Sequence, residues 1–298
     1  MKRLLLISKT KEFSNKYISE LAREFTIYQI NKTKKLKPEV ILILQKSIKS
    51  IPNIIKKVKP NKKSKVFISV NGKISDLDRN NYVKFLLRKY NFIYPNEYGA
   101  MIPEKIIDSI LFATHRIRKD IKKDSTLKID CWPNEFKNLA NKISELGANF
   151  EKKGINYGDA GCISQRVKQG FIITSSGSKL PDITSKKLSY VYNKDGIPRW
   201  SGRHPPSSET PMHRVIYSSL NTNCIIHVHC PRITYSPKLD SIRTKKYVRY
   251  GCDTTGKAVL KILKRKKIAI LRYHGIVAIG KNLSEASNNI FMLKESLK

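Results

Sequence analysis

The sequence predicts two successive domains. Residues 1–118 read as an α/β domain with an open, mostly parallel sheet, and residues 130–298 as an α+β domain whose central antiparallel sheet is covered by helices. In the first part, short apolar runs alternate with amphipathic stretches of helical period, as a parallel sheet with crossover helices requires. In the second, one long amphipathic helix precedes closely spaced β runs separated by turn residues, the pattern of hairpins. A chain of 298 residues is long enough to bury two cores.

Taken in order, Leu4 to Ser8 reads as a strand and Glu12 to Phe25 as a helix. Val40 to Leu44 and Val66 to Val70 read as buried strands, and Ser47 to Val58, Asp76 to Tyr90 and Pro103 to Ile117 as helices. No Gly-rich phosphate fingerprint follows the first strand, where Ser8-Lys9-Thr10-Lys11 stands instead. The charged run Arg116 to Ser125 suits a linker, expected over 119–129, or equally a solvated helix end. From Trp132 to Lys153, Phe136, Leu139, Ile143, Leu146 and Phe150 recur at helical spacing. Gly154 and Gly158 then break the helix, and Cys162 to Val167 with Gly170 to Thr174 forms a hairpin. Leu188 to Tyr192 is a third strand with the turn signal Asp195-Gly196 after it. Ser207 to Leu220 reads as a helix, Cys224 to Val228 as a strand, Ile268 to Leu271 and Gly275 to Ile279 as a strand pair, and Leu283 to Leu297 as a closing helix.

The formal charge of +36 raises nucleic-acid binding, since clustered Lys and Arg neutralise phosphates. Its distribution argues against that. Residues 1–125 hold 29 basic and 11 acidic side chains and residues 126–298 hold 30 and 12, so each part carries +18 and no basic arm stands apart. Such a spread would attract small anionic substrates instead. Five cysteines, Cys131, Cys162, Cys224, Cys230 and Cys252, are odd in number and lack CxxC spacing, which suits a reducing cytoplasm. Neither a secretory leader nor a membrane span is expected, because Leu4 to Ile7 is followed at once by Ser8, Lys9 and Lys11.

The chemistry gathers in the second part. His227-Val228-His229 ends the apolar run that begins at Cys224, and alternate residues of a strand face one side, so both imidazoles can reach one metal ion. HxH alone is a modest signal, and two exposed histidines at a strand end are the bland reading. His274, between two more β runs, and Glu209, at a helix start, complete a set of three His and a carboxylate that fits zinc, with other divalent metals open. His213 lies four residues after Glu209 on the same helical face, a position to orient that carboxylate or to serve as a buried structural histidine. Cys224 and Cys230 read as packing residues, His204 and Trp200 as loop residues, and His115 as part of the first domain's last helix.

Four segments in order resemble the class II aldolase/adducin family over about residues 133–298. They are Gly161-Cys162-Ile163-Ser164, Ile173-Thr174-Ser175-Ser176-Gly177, Pro206-Ser207-Ser208-Glu209 with His213, and His227-Val228-His229 with His274-Gly275-Ile276-Val277-Ala278-Ile279-Gly280. The resemblance implies a metal-dependent aldehyde-lyase cleaving a small sugar phosphate through a metal-stabilised enediolate. A dehydratase or 4-epimerase at the same site stays open, as does a non-catalytic adducin-like or nucleic-acid-associated protein. It implies one zinc or other divalent metal per subunit, held by His227, His229, His274 and Glu209, with Glu209 also the acid/base. Phosphate would lie against Ser176, Gly177, Ser207, Ser208 and Cys162. Cys162 stands where the family carries Asn, and a thiol is a poor donor. The span from His229 to His274 is shorter than in the aldolase, where a catalytic tyrosine resides; Tyr247 and Tyr250 are the candidates here. The family commonly forms homotetramers, so a homo-oligomer is expected.

Overall fold

The computed structural model describes residues 134–297 throughout and, before them, the strands and separate helical stretches that lie within 2–127. The chain divides into two compact units, Met1–His115 and Arg116–Lys298.

The first unit holds five parallel strands: β1 (Lys2–Ser8), β2 (Phe25–Gln29), β3 (Val40–Gln45), β4 (Lys65–Val70) and β5 (Asn91–Ile93), with helix α1 (Ile51–Val58) between β3 and β4. Their order, β2-β1-β3-β4-β5, is a doubly wound arrangement with its reversal between β1 and β3. Leu4, Leu6, Leu42, Leu44, Phe67 and Ile93 line one face of the sheet against Leu21, Ile106 and Ile110. Sequence periodicity does not reveal β2 or β5, which are five and three residues long and too short to show an alternation. Most of the helix expected from Glu12 to Phe25, and His115, lie outside the described residues.

The second unit is an eight-stranded sheet in the order β12-β13-β11-β7-β8-β9-β10-β6. Its strands are β6 (Lys122–Lys123), β7 (Cys162–Val167), β8 (Gly170–Thr174), β9 (Leu188–Lys194), β10 (Ile197–Gly202), β11 (Cys224–Val228), β12 (Ile268–Leu271) and β13 (Gly275–Gly280). Neighbours are antiparallel except β6, which pairs parallel with Arg199 and Trp200 of β10 and makes the sheet mixed instead of wholly antiparallel. Thus part of the charged stretch expected as linker lies in the sheet. Asp124 anchors it by accepting hydrogen bonds from Thr126 and, at 2.6 Å, from the Tyr192 hydroxyl; these bonds hold its carboxyl far below the usual range. Trp200, expected in a loop, is in β10 with Lys123 over its ring.

Helices cover both faces, and the strand period of two sorts the residues between them. On one face, Ile163 of β7, Cys224, Ile226 and Val228 of β11 and Ile276 and Ala278 of β13 pack against α2 (Asn134–Lys152) and α6 (Leu283–Glu295). On the other, Cys162, Ile225, Val277 and Ile279 pack with Met212, Ile216 and Tyr217 of α3 (Thr210–Ser219) and Val259 and Leu263 of α5 (Asp253–Leu263). His227 alternates with Ile226 and therefore falls on the second face, with Cys162 and Ser164. A further short helix, α4 (Pro231–Thr234), follows β11. Helix α5 has no counterpart in the sequence reading, because its Asp-Thr-Thr-Gly start and the lysines Lys257 and Lys261 leave only a short apolar stripe.

Candidate metal centre

β11 and β13 pair antiparallel, which brings the chain end of β11 beside the start of β13. The three histidines meet there. Ring centroids of His227, His229 and His274 lie 4.8, 4.8 and 4.9 Å apart, and one ligand nitrogen from each falls within 4.8 Å of the others. His227 and His274 are buried and His229 is half-buried. The Nε2 atoms of His227 and His229 are 3.0 Å apart. Imidazole nitrogens on a tetrahedral zinc stand about 3.3 Å apart at metal–nitrogen bonds of about 2.0 Å, so the spacing needs little adjustment to hold an ion.

The backbone sets this convergence. His227 Nδ1–H donates to the Ile276 carbonyl at 2.9 Å, which leaves the Nε2 lone pair for a ligand role. Burial pushes the His227 pKa down to about 4, partly opposed by that carbonyl, so the ring is neutral at neutral pH, as a metal ligand must be. Asn156 Oδ1 accepts the His229 N–H at 3.0 Å while its Nδ2 donates to the Ala160 carbonyl at 2.6 Å, fixing the end of β11 to the turn before β7. A buried Asn just after a helix end is the sequence signal that could have marked it. Tyr273 adopts φ 61°, a left-handed conformation costing about 1–3 kcal/mol for a non-glycine residue, and delivers His274 into the cluster. Gly275 follows because nothing larger fits: a Cβ there would lie 2.6 Å from the Val228 carbonyl oxygen and 2.9 Å from His227 Cε1.

Glu209 sits at the N-cap of α3, 5% exposed, and is not among the three grouped ligands. Burial raises its pKa to about 8, with the Gly251 backbone N–H, hydrogen-bonded to the carboxylate, acting in the opposite direction. Its Oε2 has no hydrogen-bond partner among the described residues. Tyr250 places its ring 5.0 Å from that of His274. α3 starts at Thr210, three residues later than expected, so Ser207 and Ser208 precede the helix.

His213 does not touch the carboxylate. Its Nδ1 is 2.7 Å from Ser164 Oγ and its Nε2 is 3.3 Å from Cys162 Sγ, and Ser164 Oγ is in turn 2.8 Å from the Tyr217 hydroxyl. These groups form a buried chain between β7 and α3; Ser164 enters the sequence reading only within the Gly161–Ser164 motif, with no role of its own, and Tyr217 does not enter it. Burial, then the charge of His227, holds His213 down to about 3, so it stays neutral. Cys162 is the register partner of His227, and burial raises its thiol pKa far above the ordinary value. That thiol also hydrogen-bonds Ser207 and is turned inward.

The segments proposed to hold phosphate come together. Ser176 N–H donates to the Pro205 carbonyl and Ser207 N–H to the Thr174 carbonyl, each at 3.0 Å, so the turn after β8 lies beside the approach to α3. Those two amides are used. Among the described residues the amides of Gly177 and Ser208 make no hydrogen bond, and no atom lies within 4 Å of where a Gly177 Cβ would be.

The family model described as Class II Aldolase and Adducin N-terminal domain matches residues 141–298. The chain is 28% identical over 165 residues to an L-fuculose phosphate aldolase of Haemophilus influenzae, spanning 50% of this chain and 75% of the relative. It is 29% identical over 179 residues to a 3-oxo-tetronate 4-phosphate decarboxylase of Pectobacterium atrosepticum, spanning 53% and 81%. It is 27% identical over 150 residues to a 5-methylthioribulose-1-phosphate/5-deoxyribulose-1-phosphate aldolase of Rhodospirillum rubrum, spanning 45% and 66%. Through its second unit, the chain belongs to the class II aldolase and adducin family.

Proposed function

We propose that the second unit is a divalent-metal-dependent lyase that cleaves a carbon–carbon bond of a small sugar phosphate. The observation that carries this is the convergence of three imidazoles, with Nδ1 of His227 held by the Ile276 carbonyl so that its Nε2 faces the His229 ring. His227, His229 and His274 would hold the ion, zinc by donor type. Bound there, it would supply Lewis acidity at a substrate carbonyl oxygen.

Glu209 would move the proton. A buried carboxyl with its pKa raised to about 8 can both give and take a proton near neutral pH, and its Oε2 is the oxygen without a competing partner. The amides of Gly177 and Ser208, with the hydroxyls of Ser176 and Ser208, would orient the phosphate end. The named relatives act on phosphorylated sugars or sugar acids by aldol cleavage or decarboxylation, which supports this substrate class.

The test is metal content by elemental mass spectrometry of the full chain and of a His227→Ala/His229→Ala variant, followed by assay of sugar phosphates for cleavage. Near-stoichiometric metal in the wild type, lost in the variant, with metal-dependent release of an aldehyde, is expected. No metal after reconstitution with zinc, cobalt or manganese refutes the proposal.

A further inference from the structure

The first unit has no role in the reading above, yet its sheet ends in a place suited to a ligand. In open α/β sheets ligands bind beyond the carboxyl ends of the strands, where the strand order reverses, and here that is between β1 and β3. β1 ends at Ser8, exposed and in register with Leu44, and β3 ends one residue further at Gln45. Gln45 alternates with Leu44 and so lies on the sheet face opposite Leu21, where a helical turn begins at Ile48 and continues as α1. Its Oε1 accepts from the Ser50 hydroxyl of that turn at 3.3 Å, and its carbonyl accepts the Asn71 N–H at 3.2 Å, which fixes the strand end. Gln45 is 2% exposed, and its Nε2 has no hydrogen-bond partner among the described residues.

We infer that the start of the helical run Ile48–Val58, at the end of β3, binds the phosphate group of a small phosphorylated molecule, with Gln45 Nε2 as one of its donors. A buried amide N–H without an acceptor is rare in a folded protein and costs free energy that a ligand oxygen recovers. The bond to Ser50 holds that amide against the first turn, whose leading N–H groups have no partner within the helix and carry the positive end of its dipole. Neither Ile48–Ser50 nor the first turn of α1 holds an acidic residue, and Lys49 stands exposed among them. Donors and positive charge gathered at one point suit an anion with several acceptor oxygens and repel a cation. The glycine-rich fingerprint is missing after β1, but this place follows β3 and draws on a side-chain amide instead. The inference stands apart from the metal-site reading of the second unit.

The test is hydrogen–deuterium exchange of the full chain, read by mass spectrometry on peptides covering Ile48–Val58, because it reports this place separately from the second unit. The probes are inorganic phosphate, adenosine 5′-monophosphate and ribose 5-phosphate, with adenosine and ribose as matched controls at equal ionic strength. The three phosphates should slow exchange in that segment and the two controls should not. Stronger protection by the nucleotide than by the sugar phosphate identifies a nucleotide as the ligand class, and the reverse order a sugar phosphate; both results carry the inference. Gln45→Met, which matches the side chain in length and lacks the amide, should weaken the protection by about 10-fold. Wild type with no protection of Ile48–Val58 at millimolar phosphate overturns the inference, whatever happens in the second unit. So does equal protection by adenosine and its monophosphate, and these wild-type results stand even if Gln45→Met does not fold. A folded Gln45→Met with wild-type protection overturns it as well.

Discussion

Replacing Gly275 by Ala tests how the backbone assembles the histidines. The added Cβ would stand 2.6 Å from the Val228 carbonyl oxygen, 2.9 Å from His227 Cε1 and 3.0 Å from His229 Cδ2. Ordinary contact begins at 3.4 Å, so the three must retreat by 3.4 − 2.6 = 0.8 Å, 3.4 − 2.9 = 0.5 Å and 3.4 − 3.0 = 0.4 Å. None of them is the loose end of a flexible chain. Val228 is paired with Ile276, and the His227 ring is tied to the carbonyl of that same Ile276, so relief means parting β11 from β13. Overpacking of this kind costs about 1–3 kcal/mol of stability. Metal–ligand distances tolerate only about 0.2 Å, so displacing two of three imidazoles by twice that should weaken metal binding by about 10- to 100-fold. The assay is metal retained against a graded competing chelator, alongside urea unfolding of the metal-free chain. Gly275→Ala with wild-type retention and an unchanged unfolding midpoint would show that the close approach of β13 to the histidines is not what shapes the site.

The contribution of His227, His213 and Glu209 to the stability of the metal-free chain should peak near pH 6.5. His227 and His213 are depressed in the folded state to about 4 and about 3 from an ordinary value of 6.5, so the stability they contribute is present above pH 6.5 and lost as acid protonates the unfolded chain first. Glu209 is raised from 4.5 to about 8, so its contribution is present below pH 4.5 and lost as pH rises through 8. At about 1.4 kcal/mol per group and pH unit, two groups against one give a net loss of about 1.4 kcal/mol per unit on going from pH 6.5 to 4.5. One group gives a similar loss from pH 6.5 to 8. Urea titrations at fixed pH check this, and Glu209→Gln should flatten the alkaline side and steepen the acid side to about 2.8 kcal/mol per unit. Cys162→Ala strips the neighbour from His213 Nε2 inside a fully buried network and should cost about 1–3 kcal/mol, with Cys162→Ser costing less; chemical unfolding measures both. Phe150→Ala removes a fully buried ring that packs 5.4 Å from Phe291 between α2 and α6, and should cost about 3–5 kcal/mol in the same experiment while leaving metal content unchanged.

Much of the second unit was legible because its patterns are local. The Leu139, Ile143 and Phe150 stripe is α2, the Cys162–Val167 and Gly170–Thr174 hairpin has the expected bounds, and the run from Cys224 to Val228 is β11. The histidine set was legible because a strand fixes the facing of His227 and His229, while the third member needed the sheet order that puts β13 beside β11. What stayed hidden is set by contacts distant in sequence. Nothing local says that His213 spends its ring on Ser164 and Cys162, which are 49 and 51 residues away, instead of on Glu209 one turn earlier. The pairing of Lys122 and Lys123 with β10 is equally invisible, since two exposed lysines carry no strand signal of their own.

The Cys162 position joins these threads. The period of β7 puts Cys162 and Ser164 on the face covered by α3, where both are taken up by His213, so the thiol holds the helix that presents Glu209 and is not offered to a ligand. In the proposed enzyme the anionic end of the substrate would meet the amides of Gly177 and Ser208, each a modest hydrogen bond. A chain with 59 basic against 23 acidic side chains would add to that by raising the local concentration of a phosphate before it docks. Long-range charge would thus govern capture, while the geometry of β11 and β13 governs what happens after it.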